Sequence, residues 1–178
     1  MLNLNNIDLI QRARSVRLLV LDVDGVLTDG KLYFLADGSE AKAFSTLDGQ
    51  GIKMLMNSGV NVAIITGRTS TIVERRAANL GIMHLIQGRE DKRTALDELL
   101  SSLQLSYDQV AYLGDDLPDL AAIRCVVLGV AVANANTFVR QHALAVTSLR
   151  GGEGAARELC EFIMAAQDTL NAAQNAYL

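Results

Sequence analysis

Two carboxylates stand two residues apart at the end of an apolar run, Leu18-Leu19-Val20-Leu21-Asp22-Val23-Asp24-Gly25. Such a run reads as a buried strand. Side chains at i and i+2 of a strand share a face, so Asp22 and Asp24 reach one small volume where the strand gives way to a glycine turn. Two anions this close stay ionised together only if a cation sits between them; otherwise one of them holds a proton. Either outcome describes a chemical site, because carboxylates embedded in an apolar strand must be compensated.

Three further polar clusters follow. Thr66-Gly67-Arg68 comes directly after Val62-Ala63-Ile64-Ile65, Lys92 opens a segment of helical period, and Gly114-Asp115-Asp116-Leu117-Pro118-Asp119 comes directly after Val110-Ala111-Tyr112-Leu113. Each has an ordinary explanation alone: a turn with an incidental arginine, a solvated lysine, acidic residues capping a helix. In open parallel sheets, however, ligands bind beyond the carboxyl ends of the strands, and that is where all four clusters fall. The donors are oxygens, which suits Mg²⁺, a hard ion that bridges carboxylates and phosphate. The Thr66 hydroxyl and N–H and the Lys92 charge suit the oxygens of a transferring phosphoryl group. A lysine at a helix N-terminus is mildly unfavourable, and a phosphate bound there reverses that sign. A carboxylate beside the phosphoryl group is a potential covalent nucleophile. His84 and His142 have no evident metal partners and read as structural.

These clusters must be positioned by an alternation of strands and helices. Apolar runs at 17–23, 61–66, 83–86, 109–113 and 126–130 alternate with helix-period segments at 50–58, 71–79, 92–103, 117–123 and 153–173. The expected fold is α/β, a Rossmann-like, mainly parallel sheet flanked by helices. Thr71 to Glu74 fits a capping box. Lys31–Leu35 and Glu40–Phe44 flank Ala36-Asp37-Gly38-Ser39, the pattern of a β-hairpin inserted after the first strand. The hairpin is too short to be a second domain, so residues 1–178 are expected to form one. At 178 residues and 50% hydrophobic, such a domain buries a full core. A net charge of −4, with no basic run, argues against a nucleic-acid surface. No apolar run approaches the roughly 20 residues that span a bilayer, and no leader-like segment opens the chain, so no membrane partner and a cytoplasmic location are expected. Cys125 and Cys160 read as buried free thiols.

The four clusters, in this order, resemble the haloacid dehalogenase superfamily of phosphatases: Asp22-x-Asp24-Gly25-Val26-Leu27-Thr28-Asp29-Gly30, then Thr66-Gly67-Arg68, then Lys92, then Gly114-Asp115-Asp116-x-x-Asp119. The hairpin, Lys42-Ala43-Phe44, Asp48-Gly49-x-Gly51-Ile52-Lys53 and Arg150-Gly151-Gly152-x-Gly154-Ala155-x-Arg157-Glu158 extend the similarity to its small subfamily of 3-deoxy-D-manno-octulosonate 8-phosphate phosphatases, which lacks a cap domain. The resemblance implies a Mg²⁺-dependent phosphatase of a sugar-acid phosphate in lipopolysaccharide biosynthesis. On that pattern Asp22 is the nucleophile that forms an aspartyl-phosphate, and Asp24 the general acid and base. Asp22, Asp115 and the backbone carbonyl of Asp24 hold the metal, and Asp116 supports its shell. Thr66 and Lys92 bind the phosphoryl oxygens. Gly67, Arg68, Asp119, Arg150 and Arg157 are expected at the substrate or behind the metal, with the Gly151–Gly154 stretch as a mobile element over the substrate anion.

A capless phosphatase needs walls, and the family obtains them as a homotetramer. The apolar hairpin residues Leu32, Tyr33, Phe34, Leu35 and Phe44, expected to leave an exposed edge in a monomer, fit that expectation. Other readings compete with this one. A receiver domain also uses acidic residues, Mg²⁺, Thr and Lys, but starts with adjacent acids where this chain has Asp-x-Asp. A phosphomutase shares the nucleophile but wants a cap. A non-catalytic oligomerisation domain of this fold, or a phosphatase of another acidic sugar phosphate, stays open on residues alone.

Overall fold

The computed structural model describes residues 1–178. In chain order its elements are α1 (Ile7–Arg14), β1 (Leu18–Leu21), β2 (Tyr33–Phe34), β3 (Glu40–Ala41), α2 (Thr46–Asn57), β4 (Asn61–Ile65), α3 (Thr71–Leu80) and β5 (His84–Ile86). There follow α4 (Lys92–Leu103), β6 (Val110–Gly114), α5 (Leu117–Cys125), β7 (Leu128–Ala131), α6 (Thr137–His142), β8 (Ala145–Val146), α7 (Ala155–Ala166) and α8 (Leu170–Asn175). Six strands form one sheet in the order β5-β4-β1-β6-β7-β8, every pair parallel. The hairpin β2–β3 is a separate antiparallel pair, and no cap is present. No helix is long and apolar enough to cross a membrane.

The central strands are apolar without alternation because helices cover both faces. β1 is buried at every position, as is β6. α1 and α2 each pack against α7 in one layer, and α4 packs with α5 in a second. In α7 the stripe Leu159, Phe162 and Ile163 is buried, each side chain contributing about 1.5–3 kcal/mol. Its N-terminus is held across the layer by Asp48 of α2, which accepts from Gly154 N at 3.3 Å and Arg157 N at 2.8 Å. That contact is the structural use of the Asp48 motif. Burial pushes the Asp48 carboxyl above its ordinary value against these N–H groups, which favour the anion.

Several local expectations are corrected. The box between Thr71 and Glu74 does not form: Ser70 is the N-cap, its N–H donates to Gln87 Oε1, and Glu74 accepts from Gln87 Nε2. The long last helix is two helices. α7 ends where Gln167 Nε2 turns to the carbonyls of Ala13 and Val16, and Asp168 takes φ +60°, a conformation that interrupts a right-handed helix. α2 starts at Thr46 rather than Gln50, because Ser45 caps it. Three elements lie outside the expected alternation: α1, an eight-residue helix that buries Leu9 and Ala13, and α6 and β8, which at six and two residues are too short to show a period. Of the thiols, Cys160 is buried and Cys125 only half-buried.

Candidate active site

β1 and β6 are neighbours, with Leu21 opposite Leu113. From β1 the chain builds β4 and β5 on one side, then crosses to β6, β7 and β8 on the other. A crevice opens beyond the carboxyl ends of the strands where the order reverses. Asp22 and Asp24 enter it from β1, Thr66 and Arg68 from β4, and Asp115 from β6, with Lys92 from the first turn of α4; Pro118 is the one apolar side chain in its lining.

At its floor lies a buried charge cluster. Lys92 Nζ stands 2.9 Å from Asp22 Oδ2 and 2.6 Å from Asp119 Oδ1. Asp119 is completely buried and fully committed. It accepts from Lys92 and the Tyr112 hydroxyl on one oxygen, and from the N–H groups of Asp115 and Asp116 on the other. Burial lowers the Lys92 ammonium, but Asp119 and Asp22 outweigh it and hold it above its ordinary value. Burial, with the adjacent Asp119 charge, pushes Asp22 up to about 7 against the pull of Lys92. Burial, Asp119 and Asp22 push Asp115 up to about 7 as well.

Carboxylate oxygens of Asp22, Asp115 and Asp119 converge within 4.8 Å of one another, and Lys92 is the single cation in contact with two of them. Asp22 Oδ1 is buried without any hydrogen-bond partner. An orphaned buried anion oxygen requires a missing partner, and a hard cation on Asp22 and Asp115 supplies one. Asp119, with both oxygens occupied, supports the cluster from behind.

Asp24 is set apart from this cluster. Its Oδ1 accepts from Lys42 Nζ, and its Oδ2 lies 3.7 Å from Arg68 Nε. Arg68 Nη2 also pairs with Glu40 Oε1 at 2.8 Å. Gly25 follows at φ +94°, and a Cβ there would lie 2.1 Å from Asp115 Oδ2, so only glycine lets the β1 loop pass the β6 carboxylate.

The Gly151–Gly154 stretch is anchored rather than draped over the pocket. Gly151 N donates to Asn134 Oδ1 and Gly152 N to the Val26 carbonyl. A Cβ on Gly151 would sit 1.7 Å from the Gly25 carbonyl oxygen. The stretch therefore braces the loop that carries Asp24. Arg150 is exposed and outside the lining of the crevice. Arg157 packs along α7 on Glu161 at 2.7 Å, also away from it. Gly67 and Asp116 do line it; Asp116 is the N-cap of α5. Sequence reasoning missed Glu40 and Lys42 as site residues. The one signal for Lys42 was the Lys42-Ala43-Phe44 motif at the end of the hairpin, and Glu40 carried none.

The chain is similar to known proteins in sequence and in fold. A family model described as haloacid dehalogenase-like hydrolase matches residues 77–159. The 3-deoxy-D-manno-octulosonate 8-phosphate phosphatase KdsC of Yersinia pestis is 51% identical over 166 residues, 93% of this chain and 89% of that protein. The crystal structure of a probable YrbI family phosphatase from Pseudomonas syringae pv. phaseolica superposes with a TM-score of 0.95 at 65% identity, covering 97% of this chain and 98% of that one. The 3-deoxy-D-manno-octulosonate 8-phosphate phosphatase from Moraxella catarrhalis, in complex with a magnesium ion, a phosphate ion and a KDO molecule, also gives a TM-score of 0.95. It is 43% identical and covers 99% of this chain and 100% of that one.

Proposed function

The chain belongs to the KdsC family of 3-deoxy-D-manno-octulosonate 8-phosphate phosphatases, within the haloacid dehalogenase-like hydrolases, and from this we propose that it hydrolyses 3-deoxy-D-manno-octulosonate 8-phosphate to the free sugar acid and phosphate in lipopolysaccharide biosynthesis. The observation that carries the reading is the buried Asp22 carboxylate, tethered by Lys92 through Oδ2 and left unpartnered at Oδ1. Asp22, Asp115 and the backbone carbonyl of Asp24 would hold Mg²⁺. Bound there, the ion supplies positive charge to the carboxylates and to the phosphoryl oxygens.

In the first step Asp22 attacks phosphorus, forming the aspartyl-phosphate as the bond to the C8 oxygen breaks. Asp24 delivers its proton to that leaving oxygen, which would otherwise depart as an alkoxide. In the second step Asp24, now a carboxylate, takes a proton from water. The water oxygen attacks phosphorus, the bond to Asp22 breaks, and phosphate departs. Lys92 is already on Asp22 Oδ2 and follows the charge onto the phosphoryl oxygens, with Thr66 beside it. Arg68 and Gly67 face the sugar acid at the mouth. Asp116 and Asp119 hold the metal side of the site in place.

We read the enzyme as a cytoplasmic homotetramer. Support comes from Leu32, Tyr33, Phe34 and Leu35, all exposed on the hairpin over the mouth of the site; such a patch calls for a partner surface. The test is phosphate release from 3-deoxy-D-manno-octulosonate 8-phosphate with Mg²⁺, in EDTA, and by Asp22→Asn, alongside light scattering at micromolar concentration. Turnover that needs both Mg²⁺ and Asp22, from a tetramer, is expected. Metal-independent release or substantial activity of clean Asp22→Asn refutes the mechanism, and a monomer refutes the assembly.

A further inference from the structure

The hairpin is joined to the body of the protein by polar contacts that converge on the site. Glu40 reaches Arg68, and Lys42 reaches Asp24. Its apolar side chains Leu32, Phe34 and Leu35 face outward. Lys42 is as deeply buried as Lys92 at the floor of the site: its side chain is 1% exposed, against 5% for Lys92, although its neighbours Ala41 and Ala43 are exposed. Long ammonium side chains normally keep their heads in water. One this well buried needs carboxylate partners, and those present are Asp24, in direct contact, and Glu40 at 3.6 Å.

The contact is asymmetric in a way that bears on catalysis. Lys42 takes Asp24 Oδ1, while Oδ2 lies 3.7 Å from Nε of Arg68, which lines the crevice. A carboxyl group held through one oxygen cannot rotate freely, and its other oxygen is aimed. A general acid must present its proton within about 2.6–3.2 Å of the leaving atom, so fixing this torsion matters to the rate.

We infer that Lys42 is a positioning residue for proton transfer: by clamping Asp24 Oδ1 it directs Oδ2 at the leaving-group oxygen, so that the hairpin supplies part of the general-acid machinery. Glu40 completes the device by holding Lys42 and Arg68 together at the edge of the mouth. The inference rests on the role proposed above for Asp24.

The test exploits leaving groups. Expulsion of an alkyl oxygen requires the proton from Asp24, whereas p-nitrophenolate leaves as the anion. Lys42→Met and Lys42→Arg are compared with the wild type on 3-deoxy-D-manno-octulosonate 8-phosphate and on p-nitrophenyl phosphate, with Mg²⁺. If the wild type releases nothing from the sugar acid, an alkyl phosphomonoester that it does turn over takes its place, and only the substrate assignment fails. For Lys42→Met, kcat/KM on the alkyl ester is expected to fall about 100-fold, the scale of a lost general acid. On the aryl ester it is expected to fall by less than about tenfold, since the proton is not needed before phosphorus is transferred. Lys42→Arg, which keeps a donor, recovers part of the alkyl rate. A merely structural lysine would lower both esters alike. Equal losses on the two esters, unchanged alkyl kinetics in Lys42→Met, or no recovery in a Lys42→Arg protein with wild-type melting each overturn the inference.

Discussion

Replacing the nucleophile should make the metal-free protein more stable. Asp22, Asp115 and Asp119 crowd their oxygens within 4.8 Å, and Lys92 alone offsets them. Burial and Asp119 push Asp22 from 3.8 to about 7. At about 1.4 kcal/mol per pH unit, keeping it ionised above pH 7 costs roughly 4 kcal/mol relative to the unfolded chain. Asp22→Asn keeps the shape and removes the charge. Lys92 loses one ionic partner but retains Asp119 at 2.6 Å, and the amide oxygen still accepts from it. The net gain expected at pH 8 in EDTA is about 1–3 kcal/mol, a melting temperature higher by about 3–10 °C for a chain this size. At pH 5 most of that difference should be gone, because native Asp22 then carries a proton, and the remainder goes as the unfolded carboxyl protonates near pH 3.8. With millimolar Mg²⁺ the order should reverse, since a ligand that binds only the folded state stabilises by mass action and the variant has lost one of its oxygens. Calorimetry under these three conditions tests the account. A metal-free Asp22→Asn protein that melts at or below the wild type at pH 8 would refute the claim that the site is strained by its own charge.

Two further expectations follow from the same geometry. Asp22 and Asp115 have folded-state values near 7, above the ordinary 3.8, so their favourable contribution is complete below about pH 3.8 and lost as pH rises through 7. Melting of the wild type in EDTA should therefore fall between pH 5 and 8 and recover with Mg²⁺; a flat profile counts against it. Gly151→Ala places a methyl 1.7 Å from the Gly25 carbonyl, an overpacking that costs about 1–3 kcal/mol. It should lower the melting temperature and, by displacing the loop that carries Asp24, lower kcat. Wild-type melting with wild-type kcat would show that the brace is not needed.

Much of this site was legible because its chemistry sits at strand ends. Apolar runs such as Leu18–Leu21 and Val110–Leu113 identify buried strands without any knowledge of their partners. Polar residues directly after them must lie at the carboxyl edge of the sheet. Asp22, Thr66 and Asp115 could therefore be placed on one edge from local pattern. Short elements were not legible: the two residues of β8 and the six of α6 carry too little periodicity to stand out. The arginines Arg150 and Arg157 looked alike on paper, but α7 turns Arg157 onto Glu161 and leaves Arg150 outside the crevice.

By itself, then, the sequence determined the alternating strands and helices, the acidic strand ends and the oxygen-only chemistry, all of which depend on residues within a few positions of one another. The tertiary structure decided how they combine. Pairing β1 with β6 brings Asp22 beside Asp115, over ninety positions away, and packing α4 and α5 beside them gives Lys92 both Asp22 and Asp119. The folded hairpin lays Lys42 on Asp24, and the Gly151 stretch wedges against Gly25. Contacts between residues so far apart are set by the order of strands in the sheet and by which helix faces are buried, and no local pattern encodes either.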